Sequence, residues 1–85
     1  MMKIYLLTEE RADDNGIHFD SVPYSSMDEA VKEMSARVKK FKDDIVREFV
    51  KDEFVDEEKP DSHYCTASWT MHLYDYCKVK VFEVF

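Results

Sequence analysis

The sequence predicts an α+β fold, a two-layer sandwich in which one long helix covers one face of a four-stranded, mostly antiparallel sheet in the order ββαββ. Three observations predict it. Apolar residues recur at alternating spacings of four and three in the middle of the chain, at Met27, Val31, Met34, Val38, Phe41 and Ile45, which keeps them on one narrow helical face. The flanking segments are rich in Tyr, Trp, Thr, Val and Phe, which suit a pleated, half-buried surface. Turn chemistry marks the joints, at Asp13-Asp14-Asn15-Gly16 and at Lys59-Pro60-Asp61-Ser62.

The elements follow in order. Residues 3–8 (KIYLLT) are apolar on both faces, the pattern of a strand covered on both sides. Residues 9–15 read as a polar connection, and Asn15-Gly16 as a hairpin turn because that pair tolerates positive φ. Residues 17–24 form the return strand, and Pro23 places its end at a sheet edge or just outside it. The helix then runs over 25–58. Ser26-Met27-Asp28-Glu29 is a capping box, in which the Ser26 hydroxyl accepts from the Glu29 amide. No Pro or Gly interrupts the run before Pro60, and past Ile45 the stripe widens to Val46, Phe49, Val50, Phe54 and Val55. Such a helix would be about 45 Å long, over twice a strand of ordinary length, so its far end is expected to overhang, bend or pack elsewhere. Residues 64–74 and 78–85 are the last two strands, with a short turn around Asp75-Tyr76.

Strand parity sorts the faces. Ile4, Leu6, Ile17, Phe19, Trp69, Met71, Leu73, Val79 and Val81 are assigned to the helix side. Tyr5, Leu7, His72, Tyr74, Phe82 and Val84 go to the opposite face, which Thr70, Lys78 and Lys80 make polar only in part. That surplus of apolar surface calls for a cover, most simply a second copy in a symmetric homodimer. The aromatic set Tyr5, His72, Tyr74, Tyr76 and Phe82 is the expected dimer or partner interface.

Eighty-five residues with 45% hydrophobic content make a single domain over 1–85 with one core. A net charge of −7 argues against direct binding to nucleic acid or to an anionic membrane. No apolar run is long enough for a bilayer, and the first residues lack the pattern of a signal peptide, so a cytoplasmic protein is expected. Cys65 and Cys77 fall on opposite arms of a hairpin in a register that keeps them from facing each other; free thiols are expected.

The acids Asp52, Glu53, Asp56, Glu57, Glu58 and Asp61 cluster at the end of the expected helix, where the helix dipole disfavours them. They read either as a solvated, frayed end or as a docking patch for a basic protein partner. The basic run Arg37, Lys39, Lys40 and Lys42 reads as a solvated face with helical ion pairs. His63, Cys65, His72 and Cys77 are ligand types that zinc accepts, but their spacing matches none of the usual frameworks. A cysteine nucleophile would need a base beside it, and His72 could supply one only through the fold. The Asp13–Gly16 turn lacks the later ligands of a calcium loop, and one Gly is too few for a phosphate-cradling loop.

The expected function is that of a small, acidic, non-catalytic protein-interaction module without a cofactor. A sharper version makes it an inhibitor whose acids enter a basic, nucleic-acid-binding surface of a host protein. Size, acidity and scarcity of motifs give the chain the general look of short phage or mobile-element proteins, several kinds of which inhibit host enzymes, although no residue motif carries that impression. The alternative is a small enzyme or a ligand- or metal-binding domain using His72, Cys65 and Cys77 in a cleft between helix and sheet.

Overall fold

The computed structural model describes residues 3–13, 15–48, 53–68 and 74–84. In chain order these form β1 (Ile4–Asp13), β2 (Gly16–Tyr24), α1 (Met27–Glu48), β3 (Glu53–Lys59), β4 (Ser62–Ser68) and β5 (Tyr74–Val84). The strands make one sheet in the order β2-β1-β5-β4-β3, with every pairing antiparallel. One helix on one face of that sheet is the expected α+β sandwich, with five strands in place of four.

The fifth strand comes from the far end of the expected helix. Helix α1 stops at Glu48, and Glu53–Lys59 is a strand. Helical spacing past Ile45 was ambiguous because apolar residues there fill both patterns. Pairing decides it: Pro60-Asp61 forms a two-residue turn that sets Lys59 opposite Ser62, and the whole of β3 then ladders onto β4. This also removes the clash of acids with the helix dipole. The helix start is as expected, with the Glu29 amide donating to Ser26 Oγ at 3.4 Å and the Ala30 amide to the Ser26 carbonyl at 3.1 Å.

The first hairpin is longer than expected, since residues 9–13 continue β1 instead of forming a connection. Asp13 and Gly16 are paired across the turn; the Asn15 amide donates to Asp13 Oδ1 at 2.8 Å, and Gly16 takes a φ of 114°. Pro23 lies on β2, an edge strand, where its missing N–H costs no ladder bond. Asp75 and Tyr76 belong to β5 and not to a turn. Residues 69–73, with Trp69, Thr70, Met71, His72 and Leu73, lie outside the described residues, as do Phe49, Val50, Asp52 and Phe85. So do the side chains of Ile45, Val46, Glu53, Phe54 and Tyr74.

The core joins Leu7, Cys65, Ala67, Cys77, Val79 and Val81 of the sheet to Ala30, Met34, Val38 and Phe41 of the helix, all buried. Tyr5, Tyr24, Met27 and Val31 pack against it. The helical stripe and the inward Val79 and Val81 are therefore as expected, while the parity of β1 and β2 is reversed. Leu7 pairs with Val81 and is fully buried, so Tyr5 and Leu7 face the helix while Ile4 and Leu6 face away. Continuing across the sheet, Tyr24, Val22, Asp20 and His18 share the helix side, and Ile17 and Phe19 lie on the opposite face. Cys65 and Cys77 are also direct cross-strand partners, contrary to the expected register, although both remain free thiols. Among the described residues no helix is long and apolar enough to cross a membrane.

Candidate functional site

Two places concentrate chemistry: a polar knot where the helix meets β3 and β4, and the sheet face that the helix leaves uncovered. The knot is built by register. Asp56 on β3 is the cross-strand partner of Cys65 on β4, and His63 lies two residues before Cys65, on the same face. His63 Nε2 and Asp56 Oδ1 form a hydrogen-bonded pair, and Cys65 Sγ donates to the same Oδ1 at 3.3 Å. Lys42 reaches from the helix and donates to the other oxygen, Asp56 Oδ2, at 2.5 Å. His63 and Cys65 are buried, while Asp56 is partly open to solvent.

These contacts set the acidity of the groups. Partial burial opposes ionisation of Asp56, but the hydrogen bonds from Lys42, then His63 and Cys65, outweigh it and bring its pKa from 3.8 to about 2. Burial, followed by the adjacent Asp56 carboxylate, pushes the Cys65 thiol up to about 12. Burial likewise pushes Cys77 up to about 12, with Glu9 adding to it. Both sulfurs are thus held as thiols, the unreactive form for nucleophilic attack.

A second polar group ties the helix to the other side of the sheet. Arg37 donates to Asp20 Oδ2 at 2.7 Å and to Glu9 Oε1 at 3.1 Å, and pairs with Glu33 one helical turn back at 3.7 Å. Lys39 pairs with Asp43 at 3.0 Å. The basic run thus includes a helical ion pair, as expected, but Arg37 and Lys42 are cross-links to the sheet.

Of the expected acidic patch, Asp52 and the side chain of Glu53 lie outside the described residues. Asp56, Glu57 and Glu58 lie on edge strand β3, where successive residues alternate faces, and Asp56 is neutralised by Lys42. Asp61 sits in the turn, where its carbonyl accepts from the Val81 amide at 2.8 Å.

The uncovered face carries Phe82, 41% exposed, with Lys80 Nζ 4.8 Å from its ring centroid. Tyr76 lies on it too, its hydroxyl donating to Glu10 Oε2. Tyr5, assigned to this face from the sequence, packs instead on the helix side. Val84 lies on this face as expected; what sequence reasoning missed is Phe19 at 75% exposure and Ile17 at 58%, with Ile4 nearer the other end. Phe19 and Phe82 line an open groove of about 540 Å³ with Thr8, Lys78 and Lys80. The pairing of Leu7 with Val81 was the signal needed, and it is a long-range contact.

No family profile, curated protein or solved structure matches this chain.

Proposed function

We propose that this chain is a non-catalytic protein-interaction module whose outer sheet face docks on another protein surface, a second copy of itself being the first occupant. The observation that carries the reading is the inverted orientation of β2. Its large apolar residues Ile17 and Phe19 point away from the core, while the smaller and polar His18 and Asp20, themselves exposed, lie on the helix side, His18 hydrogen-bonded to Asp13 and Asp20 paired with Arg37. A monomer gains nothing from that choice, because exposing Phe19 and Ile17 forgoes their burial. A covered outer face makes sense of it.

The sheet edges support a face-to-face arrangement. Pro23 interrupts the donors of β2, and the run Asp56-Glu57-Glu58 charges β3, two devices that discourage edge-to-edge strand pairing. The acids accordingly serve as edge protection first, and a basic-groove inhibitor rests on weaker ground because they do not converge at a helix end. Buried, protonated cysteines favour binding over covalent catalysis.

Light scattering coupled to size exclusion tests the reading, using the chain and a Phe19→Asp, Phe82→Asp variant. The parent should elute as a dimer and the folded variant as a monomer. A parent that stays monomeric and captures no protein through this face would refute it.

A further inference from the structure

Asp56, His63 and Cys65 present a carboxylate oxygen, an imidazole nitrogen and a sulfur that all lie within 4.8 Å of one another. From this convergence we infer that the β3–β4 hairpin holds a zinc-type divalent metal ion through Asp56 Oδ1, His63 Nε2 and Cys65 Sγ. The site is independent of the docking face, since its three ligands lie on the helix side of the sheet.

Four features support it. Tetrahedral zinc with bonds of about 2.0–2.3 Å places its ligand atoms roughly 3.3–3.8 Å apart, and Cys65 Sγ already stands 3.3 Å from Asp56 Oδ1. The mixture of oxygen, nitrogen and sulfur donors suits zinc better than the hard cations calcium and magnesium, which take oxygen alone. The arrangement is built by one tight hairpin: cross-strand pairing places Asp56 opposite Cys65, and two-residue spacing puts His63 on the same face. Finally, the contacts divide in a way that leaves room for an outer partner. His63 and Cys65 both converge on Oδ1, whereas Lys42 binds only Oδ2, so Lys42 can stay in place and orient the carboxylate, as outer-sphere partners of metal ligands do.

Binding balances simply. The Cys65 thiol proton leaves to solvent, the imidazole of His63 carries its proton on Nδ1 and offers the Nε2 lone pair, and Asp56 is already anionic. One divalent ion then meets two negative ligands and one neutral ligand. The fourth position takes water or a donor from a docked protein. The ion would pin edge strand β3 to β4 from the helix side.

The test uses the full chain, stripped with a chelator and titrated with cobalt(II) as a spectroscopic probe and with zinc by calorimetry. One equivalent of cobalt should give a thiolate-to-metal charge-transfer band with the intense visible absorption of a tetrahedral site. Cys65→Ser should abolish the band, and His63→Gln should weaken binding at least about a hundredfold, beyond the loss typical of outer-sphere changes. Cys77→Ser should leave the band intact. Circular dichroism confirms that each variant is folded, and where Cys65→Ser does not fold, His63→Gln carries the test alone. Binding well below one equivalent, or a band that survives Cys65→Ser, would overturn the assignment.

Discussion

Lys42 on α1 donates to Asp56 on β3 at 2.5 Å, so the helix reaches past β4 to hold the outermost strand of the sheet. Arg37 does the same on the other flank, gripping Asp20 on edge strand β2 and Glu9 on β1. One helix thus secures both edges of a five-stranded sheet through charge, while its apolar stripe packs on the middle.

Acid should loosen the Lys42 side of the sheet. The folded-state pKa of Asp56 is lowered from 3.8 to about 2, so its contribution is fully present above the unfolded value and is lost as pH falls through the folded one. Urea unfolding at stepped pH should show stability declining between about pH 4 and pH 2, and Asp56→Asn should flatten that limb. At neutral pH Lys42→Met should cost less than about 1 kcal/mol, because the pair is half-exposed and screened. An acid limb unchanged in Asp56→Asn would mean that another carboxylate carries it.

The thiols should be inert in the native chain. Cys65 and Cys77 face each other across β4 and β5, both buried, with pKa values of about 12. Alkylation at pH 8 should proceed only at the rate of unfolding and should accelerate sharply in denaturant, for both sites. Their register also disfavours a disulfide. The Val81–Asp61 hydrogen bond lies an even number of residues along the same ladder, so the cysteines occupy a hydrogen-bonded pair, where side chains stand farther apart.

The two faces of β1 and β2 should respond oppositely to truncation. Leu7→Ala empties a fully buried site and should cost about 2–5 kcal/mol by chemical denaturation. Phe19→Ala should leave the stability of the isolated chain within about 1 kcal/mol of the parent, while weakening self-association. The reverse ranking would restore the parity expected from the sequence.

Arg37→Ala should loosen the β2 edge. It removes the ties to Glu9, Asp20 and Glu33 together, and a loss of about 1–2 kcal/mol is expected, with faster hydrogen exchange in β2 than in β4.

Much of the architecture was legible in the sequence, because the helical stripe from Met27 to Phe41, the Ser26 cap, the Asn15-Gly16 turn and the alternation of Val79 and Val81 with Lys78 and Lys80 are local signals. Two errors came from non-local facts. Phe54 and Val55 fit either a helix end or a strand, and only the pairing of β3 with β4 chooses between them. In β1, Ile4 and Leu6 are as apolar as Tyr5 and Leu7, so its orientation was undetermined until Leu7 met Val81. Hydrophobic parity then misled in β2, whose polar residues turn toward the helix because Arg37 and Asp13 partner them. His63 and Cys65 were recognisable as ligand types, but Asp56 joined them only once it left the helix for a strand.

The most direct measurement is the solution mass of the parent chain across a hundredfold range of concentration, repeated for Phe19→Asp, Phe82→Asp. A dimer that persists on dilution in the parent and is absent from the folded variant is the expected result. A parent and variant of identical monomeric mass at every concentration would contradict self-docking through the outer face.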